Sequence, residues 1–573
     1  MKQLNFAILL TAFLVMNGIN AKAHDFVVNG IYYSITSSTD KTVAVTFKGT
    51  SSSSYANEYS GSVTIPSSVS YSSTIYSVTS IASYAFSGCS GLTSISVPGS
   101  VTSIGQSAFY NCTGLKSVTV GNGVRSIERS AFHMCESLSS ISLPSTIESI
   151  GVWAFASCKS LESITLPSGL KTLGANAVDD NGNHSYTYNE ADEENDASYS
   201  YKWYDSPFSG CTSLKSFKIA SSNTTFMTID GVLYSKSGKL LYEFPRGKGP
   251  SFVMPDGVKY TNDYVFTNCI NLTTLTLSDD LQLGYGVFGT NDYLETLNIG
   301  KTLTAYQNKN NVGVDNVPSV LSSLTSLSTI TVNSQSTALE VYSGALYRIK
   351  DDGTKSLLCY PKKRTSPTVE IANNCATIGA GAFMNHYYLQ NVVLPEGVQV
   401  IERYAFLYCT NLQTVSIPSS LKELGYNAFE GCTSLNKVDI ADIKAWCEVE
   451  YTFPDSDYDY DSSTGCRANP LYYAHRLCLN GTEVENVTIP DGTKMSGYPF
   501  WGCNTLKSVV IGGNITYVGA YAFGQCPNLE SVTIGKDVKY IYEGAFYDGN
   551  KLTTVTVKAH AAFSQYLVAP LPL

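Results

Sequence analysis

The sequence predicts a solenoid: short parallel strands and tight turns wound into stacked coils behind an N-terminal β cap. Three observations lead there. A 23-residue phrase recurs, beginning "SYAFSGCSGLTSISVPGSVTSIG" at 83–105 and continuing through "QSAFYNCTGLKSVTVGNGVRSIE" at 106–128. Within it the apolar residues alternate over a few positions and then stop at Pro or Gly, the mark of a short half-buried strand. The composition, with 45 Gly and abundant Ser and Thr, suits many turns between such strands.

The phrase can be tracked through thirteen sites, ending at Phe86, Phe109, Phe132, Phe155, Phe208, Phe266, Phe288, Phe383, Phe406, Phe429, Phe500, Phe523 and Phe546. Its consensus is A-F-x-x-C-x-x-L-x-x-[IV]-x-[ILV]-P-x-x-[VLI]-x-x-[IL]-G. Periods of 20–50 residues mark repeat arrays, and L-x-x-[IV]-x-[ILV] is a leucine-rich-repeat strand pattern. The expected form is therefore a leucine-rich-repeat solenoid of the α/β repeat class, coiled as a curved right-handed superhelix. One coil buries too few apolar side chains to offset the ordering of its residues. Stacking supplies the missing hydrogen bonds and covers the open core.

Each element follows from the local sequence. In "LTSISVP" (92–98) Leu92, Ile95 and Val97 face inward and Ser94 and Ser96 outward. Pro98 ends the strand because it cannot donate to the ladder. "VTSIG" (101–105) is a second short extended segment, and "QSAFYNC" (106–112) is a tight or helical turn that inserts Phe109 into the core. Residues 24–80 read as the β cap, with repeats at 81–178, 206–301, 377–440 and 492–557. An acidic, Tyr-rich insertion occupies 179–205, and irregular repeats occupy 302–376. The segments 226–248 and 341–364 resemble each other and read as hairpins turning at "SKSGK" and "KDDGTK". A last insertion covers 441–491, and 558–573 is a tail.

The first residues read as an export signal: Lys2, the apolar run "FAILLTAFLVM" (6–16), and "AKA" (21–23), with cleavage expected after Ala23. No second apolar run of about 20 residues follows, so no transmembrane segment is expected in the mature chain. With 15 % charged residues and a net charge of −10, the chain is a poor nucleic-acid binder.

The motif A-F-x-x-C-x-x-L-x-x-[IV]-x-[ILV]-P, as in Ala131, Phe132, Cys135, Leu138, Ile141, Leu143 and Pro144, resembles the BspA-like leucine-rich-repeat proteins of bacterial surfaces. The opening "VVNGIYYSI" and the segment "DGVLYSKSGKLLYEFP" are similar to that family as well. The resemblance implies a secreted or cell-surface protein that adheres to host extracellular-matrix proteins, glycans or other cells. It implies no catalytic residues and no cofactor.

Chemistry is sparse. Ten Cys occupy the repeat position (Cys89, Cys112, Cys135, Cys158, Cys211, Cys269, Cys409, Cys432, Cys503 and Cys526), where His386 and Gly549 substitute in two repeats. With no C-x-x-C spacing and no fixed pairing rule, they read as buried core thiols. Off the register stand Cys359, Cys375, Cys447, Cys466 and Cys478, and a bridge within 447–478 is open to them. The six His are scattered and no nucleophile or phosphate-loop motif occurs, so the chain is not read as an enzyme. Asp455, Asp457, Asp459 and Asp461 alternate with other residues but lack the Gly and late Glu of a calcium loop, so a solvated acidic loop is the plainer reading.

The candidate binding face is the outward side of the strands: Ser94, Ser96, Ser117, Thr119, Ser140, Ser142, Ser163, Thr165, Thr414, Ser416, Ser531 and Thr533. Short hydroxyls allow close approach by an extended protein or glycan on a host or microbial surface. Thr and Ser are also simply soluble strand residues. Tyr186, Tyr188, Tyr199, Tyr201 and Tyr204 of the acidic insertion are candidate loop contacts. The alternative is an envelope scaffold with no external ligand.

Overall fold

A computed structural model describes residues 24–48, 57–174, 178–183, 206–289, 291–306, 316–452 and 466–558. The first residues, read above as an export signal, most of the acidic insertion with its five tyrosines, Asp455 to Asp461, and the end of the tail lie outside the described residues. The chain divides into two compact units. One comprises residues 1–251, 257–272 and 283–291, the other 252–256, 273–282 and 292–573.

In the first unit each regular coil lays down two strands and one turn side. Leu92–Val97, Ser117–Val120 and Ser140–Ser142 stack in parallel, with Ser94 opposite Ser117 and Ser117 opposite Ser140. Ser103–Ile104, Ser126–Ile127, Ser149–Ile150 and Thr172–Leu173 form a second parallel ladder. The alternation holds: Ile95 and Val97 are buried and Ser94 and Ser96 are not. Gly105 closes the coil because its backbone crosses that of the coil before, with its N–H on the Ile81 carbonyl at 2.9 Å. A β-carbon there would lie 2.7 Å from the Ser83 nitrogen.

The turn side is not helical. It is a run of tight turns with two left-handed residues per coil: Ser107 and Asn111, Ser130 and Met134, Trp153 and Ser157, with φ from 54° to 62°. The described α-helices, Val317–Leu321, Ile443–Cys447 and Leu471–Ala474, all fall in irregular stretches. The turns are bonded coil to coil as regularly as the strands. The N–H of Phe86 donates to the Ala108 carbonyl, Phe109 to Ala131 and Phe132 to Ala154, each at 2.7 Å. The phenyl rings stack behind them, 4.8 Å apart for Phe86 and Phe109 and 4.9 Å for Phe109 and Phe132. Together with the strand residues they form one buried cluster from Phe26 to Tyr242.

The second unit repeats this plan. Thr368–Val369, Asn391–Val393, Thr414–Ile417 and Lys437–Ile440 form one parallel ladder. Asn486–Ile489, Ser508–Ile511, Ser531–Ile534 and Thr554–Val557 form another. Phe383, Phe406 and Phe429 stack at 4.9 Å per step, and Phe500, Phe523 and Phe546 at 5.1 and 5.5 Å. Their cluster runs from Ala345 to Ala545.

The segments expected as hairpins are three-stranded meanders. Phe226–Ile229, Val232–Ser235 and Leu240–Glu243 run antiparallel in order, as do Leu339–Tyr342, Ala345–Ile349 and Lys355–Cys359. The N-terminal strands Phe26–Val28, Ile31–Ser37 and Thr42–Thr46 have the same plan. In all three, the first turn is two left-handed residues, Asn29-Gly30, Asp230-Gly231 and Ser343-Gly344, the hairpin geometry that matches strand twist. Each last strand then pairs in parallel with the short-strand ladder that follows. The N-terminal meander is thus a unit that recurs inside the array.

After the meander at 226–243 a buried ion pair takes over the turn. Arg246 Nη2 lies 3.0 Å from Glu243 Oε1, with both side chains under 5 % exposed, and Arg246 Nη1 donates to the Val265 carbonyl. Removing one partner of such a pair strands the other charge in the core. Glu243→Gln is expected to destabilise the first unit by about 3–5 kcal/mol, whereas joint replacement by Glu243→Met and Arg246→Met recovers most of that loss. Urea unfolding of the three proteins measures both.

Candidate functional site

The strand register decides which hydroxyls meet. On the first unit Ser94, Ser117 and Ser140 form one outward column and Ser96, Thr119 and Ser142 the next. Ser163 and Thr165 continue with Ser216 and Lys218 in a separate sheet. On the second unit Thr414 and Ser416 stand between Asn391/Val393 and Lys437/Asp439. Ser531 and Thr533 stand between Ser508/Val510 and Thr554/Thr556, in another sheet. The expected face is therefore assembled as short rigid columns rather than one unbroken ladder.

All twelve residues reach solvent, and hydrogen bonds along the columns orient the hydroxyls of Ser94, Thr414 and the neighbouring Ser508. Ser94 Oγ donates to Ser62 Oγ at 2.8 Å, Thr414 Oγ1 to Asn391 Oδ1 at 2.7 Å, and Ser508 Oγ to Asn486 Oδ1 at 2.6 Å. Each such hydroxyl keeps its own oxygen lone pairs for a further donor. Formal charge enters at Lys218, opposite Thr165, and at Lys437 and Asp439, which pair with each other at 3.0 Å. The chemistry available is thus non-covalent: many short-range hydrogen bonds on a nearly neutral, corrugated surface.

The repeat thiols take a structural place. Cys112 Sγ donates to the Phe86 carbonyl at 3.0 Å, Cys135 to Phe109 at 3.2 Å, Cys409 to Phe383 at 3.0 Å and Cys526 to Phe500 at 3.1 Å. Burial pushes the Cys89 thiol up to about 11 and the Cys409 thiol up to about 12, away from the range of a thiolate ligand or nucleophile. Cys447 and Cys478 are buried free thiols, so they do not form the bridge left open above; the Cys466 side chain lies outside the described residues. Among the described residues no group of three or more His, Cys, Asp or Glu converges on a metal site.

The turn side carries groups that sequence reading did not single out. The residue two before the repeat Phe is often aromatic and left-handed, as at Tyr84, Trp153, Tyr404, Tyr498 and Tyr521. Arg129 lies over the Trp153 ring at 4.7 Å. Tyr498 stacks on Tyr521 at 5.5 Å, and Trp501 meets Tyr521 edge-on at 5.4 Å. The signal was in the repeat: an aromatic where Gly or Asn is the least strained choice.

The family description "BspA type Leucine rich repeat region" matches residues 52–185, 241–343, 359–450 and 475–567, in six copies. The chain belongs to that family, a class of bacterial leucine-rich-repeat proteins. Among solved structures it is similar to a leucine-rich cell surface protein of Faecalibacterium prausnitzii, at 21 % identity over 93 % of this chain and 94 % of that one, with a TM-score of 0.30. A leucine-rich repeat protein of Bacteroides ovatus shares 20 % identity over 94 % of this chain and 91 % of that one, with a TM-score of 0.32. The pneumococcal vaccine antigen PcpA shares 16 % over 95 % and 98 %, with a TM-score of 0.30. No curated protein matches the chain. No described helix is long and apolar enough to cross a membrane.

His386 replaces the repeat thiol and is a point of tension. It is fully buried, and among the described residues neither ring nitrogen makes a well-formed hydrogen bond, the His386 and Pro361 backbone giving it only weak support. Its ring lies 4.9 Å from that of Tyr360. Burial pushes it down from 6.5 to about 4, and the nearby Arg364 and Lys362 cations act in the same direction. Between those two values the unfolded chain binds the proton that the folded chain refuses, so stability falls as pH drops from about 6.5 to about 4. His386→Cys, which restores the repeat, is expected to abolish that slope and to stabilise the second unit by about 1–3 kcal/mol at neutral pH. Denaturant unfolding at pH 7.5, 5.5 and 4.5 checks both statements.

Proposed function

We propose that this chain is a secreted or surface-displayed recognition protein that adheres to an extended partner, a matrix protein or a glycan of a host or microbial surface, without covalent chemistry. The observation that carries this reading is the set of outward hydroxyl columns, held in register by parallel pairing and largely free of charge. Such a surface presents donors and acceptors at about 4.8 Å steps, a spacing that repeats along an extended polymer. The columns are rigid before binding, which limits the entropy lost on association. The thiols, the likeliest seat of reactivity in the sequence, are taken up by the core. Membership of a family typical of bacterial cell surfaces, and the export signal read from the first residues, support the location.

The test is a binding array of residues 24–573 against matrix proteins, glycans and envelope fractions, repeated with Ser94, Ser117 and Ser140 each changed to Glu. The reading expects a saturable partner among the first two classes. For a partner held by the first unit it expects a loss of tenfold or more in the triple variant, with an unchanged thermal midpoint. Repeating the array with 179–205 deleted assigns or removes the insertion tyrosines. Retention of envelope components alone would instead establish the scaffold.

A further inference from the structure

One gap in the outward face of the second unit has an identifiable cause. In regular coils the residue just ahead of the strand donates its N–H to the coil before. Gln390 donates to Pro367, Gln413 to Gln390 and Glu530 to Lys507, at 2.7–2.8 Å. Pro367 occupies this place in its own coil and has no N–H to give. The last rung below it joins the Lys363 N–H to the Leu327 carbonyl at 2.9 Å. Beyond that rung the ladder opens. Thr329–Val332 ends one sheet and Thr368–Val369 begins the next. Ser366 Oγ turns inward and donates to the Thr368 carbonyl at 2.6 Å.

A groove of about 360 Å³ lies beside this edge strand, between residues 368–373 and the following coil at Val393 and Pro395. Val369, Ile371, Val393 and Pro395 line it together with the polar Thr368 and Asn373, and among its lining residues Glu370 alone carries charge. Val393 is 65 % exposed, at a position where the next coil carries Ser416. Exposing a valine there breaks the hydroxyl pattern and supplies an apolar wall. The Tyr342 hydroxyl hydrogen-bonds to Glu370 Oε1 and so orients the carboxylate. Oε2 has no partner among the described residues.

An apolar trough with one oriented carboxylate suits a long aliphatic stem ending in a cation, because Lys and Arg bury their methylenes while the head keeps a polar partner. We propose that this groove receives a lysine or arginine side chain from an extended partner segment, with its stem against Val393 and Pro395 and its charge on Glu370. The inference rests on the reading of the outward face as a recognition surface and names the chemistry that this part of it selects. Charge pairing of this kind sets specificity more than bulk affinity.

The probe is a blocked, fluorescent hexapeptide of alternating Thr and Lys, compared with one of alternating Thr and Glu, titrated with residues 24–573 at about 0.15 M salt. The lysine peptide is expected to bind saturably and the glutamate peptide not to bind. Glu370→Gln is expected to weaken the lysine peptide about tenfold with no change in thermal midpoint, since the residue is exposed. Val393→Ser restores the hydroxyl pattern, removes the exposed apolar wall and is expected to weaken the peptide to the same degree without loss of stability, since Val393 is 65 % exposed. Equal binding of the two peptides overturns the inference, as does lysine-peptide binding that neither substitution disturbs. Preference for an anionic glycan at this groove overturns it too. If the broad array finds no partner but the lysine peptide binds through Glu370, the general reading fails and the groove stands; a partner found in the array together with an indifferent peptide gives the reverse.

Discussion

The structure depends on a reciprocal clasp between successive turns. The phenylalanine N–H of one coil donates to the alanine carbonyl of the next, and the thiol of that next coil donates back to the phenylalanine carbonyl. The carbonyl also accepts the cysteine N–H of its own turn, as Phe86 does from Cys89 at 3.1 Å. Both of its lone pairs are then used, inside a core where an unmet acceptor would be costly. Close stacking of the phenyl rings and the two left-handed residues per turn follow from this arrangement. The backbone must reverse direction twice in seven residues to bring each N–H and thiol into line.

This clasp explains why the repeat is so constant on the turn side and so tolerant on the strand side. A Cys is small enough to fit under the preceding carbonyl and carries a weak donor. His386 shows what happens otherwise: the imidazole fills the space, yet among the described residues neither nitrogen makes a well-formed hydrogen bond. The outward strand positions meet no such demand. They accept Ser, Thr, Asn, Val, Lys or Asp while the ladder continues beneath them, and that freedom is what a recognition surface requires.

Much of this was legible in the sequence. The 23-residue step gave the stacking, the alternation at Leu92, Ile95 and Val97 gave the inward face, and the outward pairs fell in the registers expected of them. Three features were not read. The turn was left between tight and helical because Ala-Phe carries no breaker, and only the coil-to-coil bonds show that left-handed residues are needed. The meanders were read as hairpins because attention fell on "SKSGK" and "KDDGTK". The stronger signals were the shorter Asn29-Gly30, Asp230-Gly231 and Ser343-Gly344 turns. The effect of Pro367 could be seen only once the donor at that position was known to join two coils. The candidate face was legible as residues but not as separate columns, since the break at 142–163 arises from pairing rather than composition.

If neighbouring turns hold each other, hydrogen exchange at the turn amides of the full chain should report it most directly. In the native protein the Phe109, Phe132 and Phe155 amides are expected to exchange as slowly as the central strand amides. In Phe132→Ala, protection should fall at Phe109 and Phe155 as well, while the stack at Phe383 to Phe429 in the second unit stays protected. Loss confined to residue 132 alone, or fast exchange of these amides in the unaltered protein, would contradict the account.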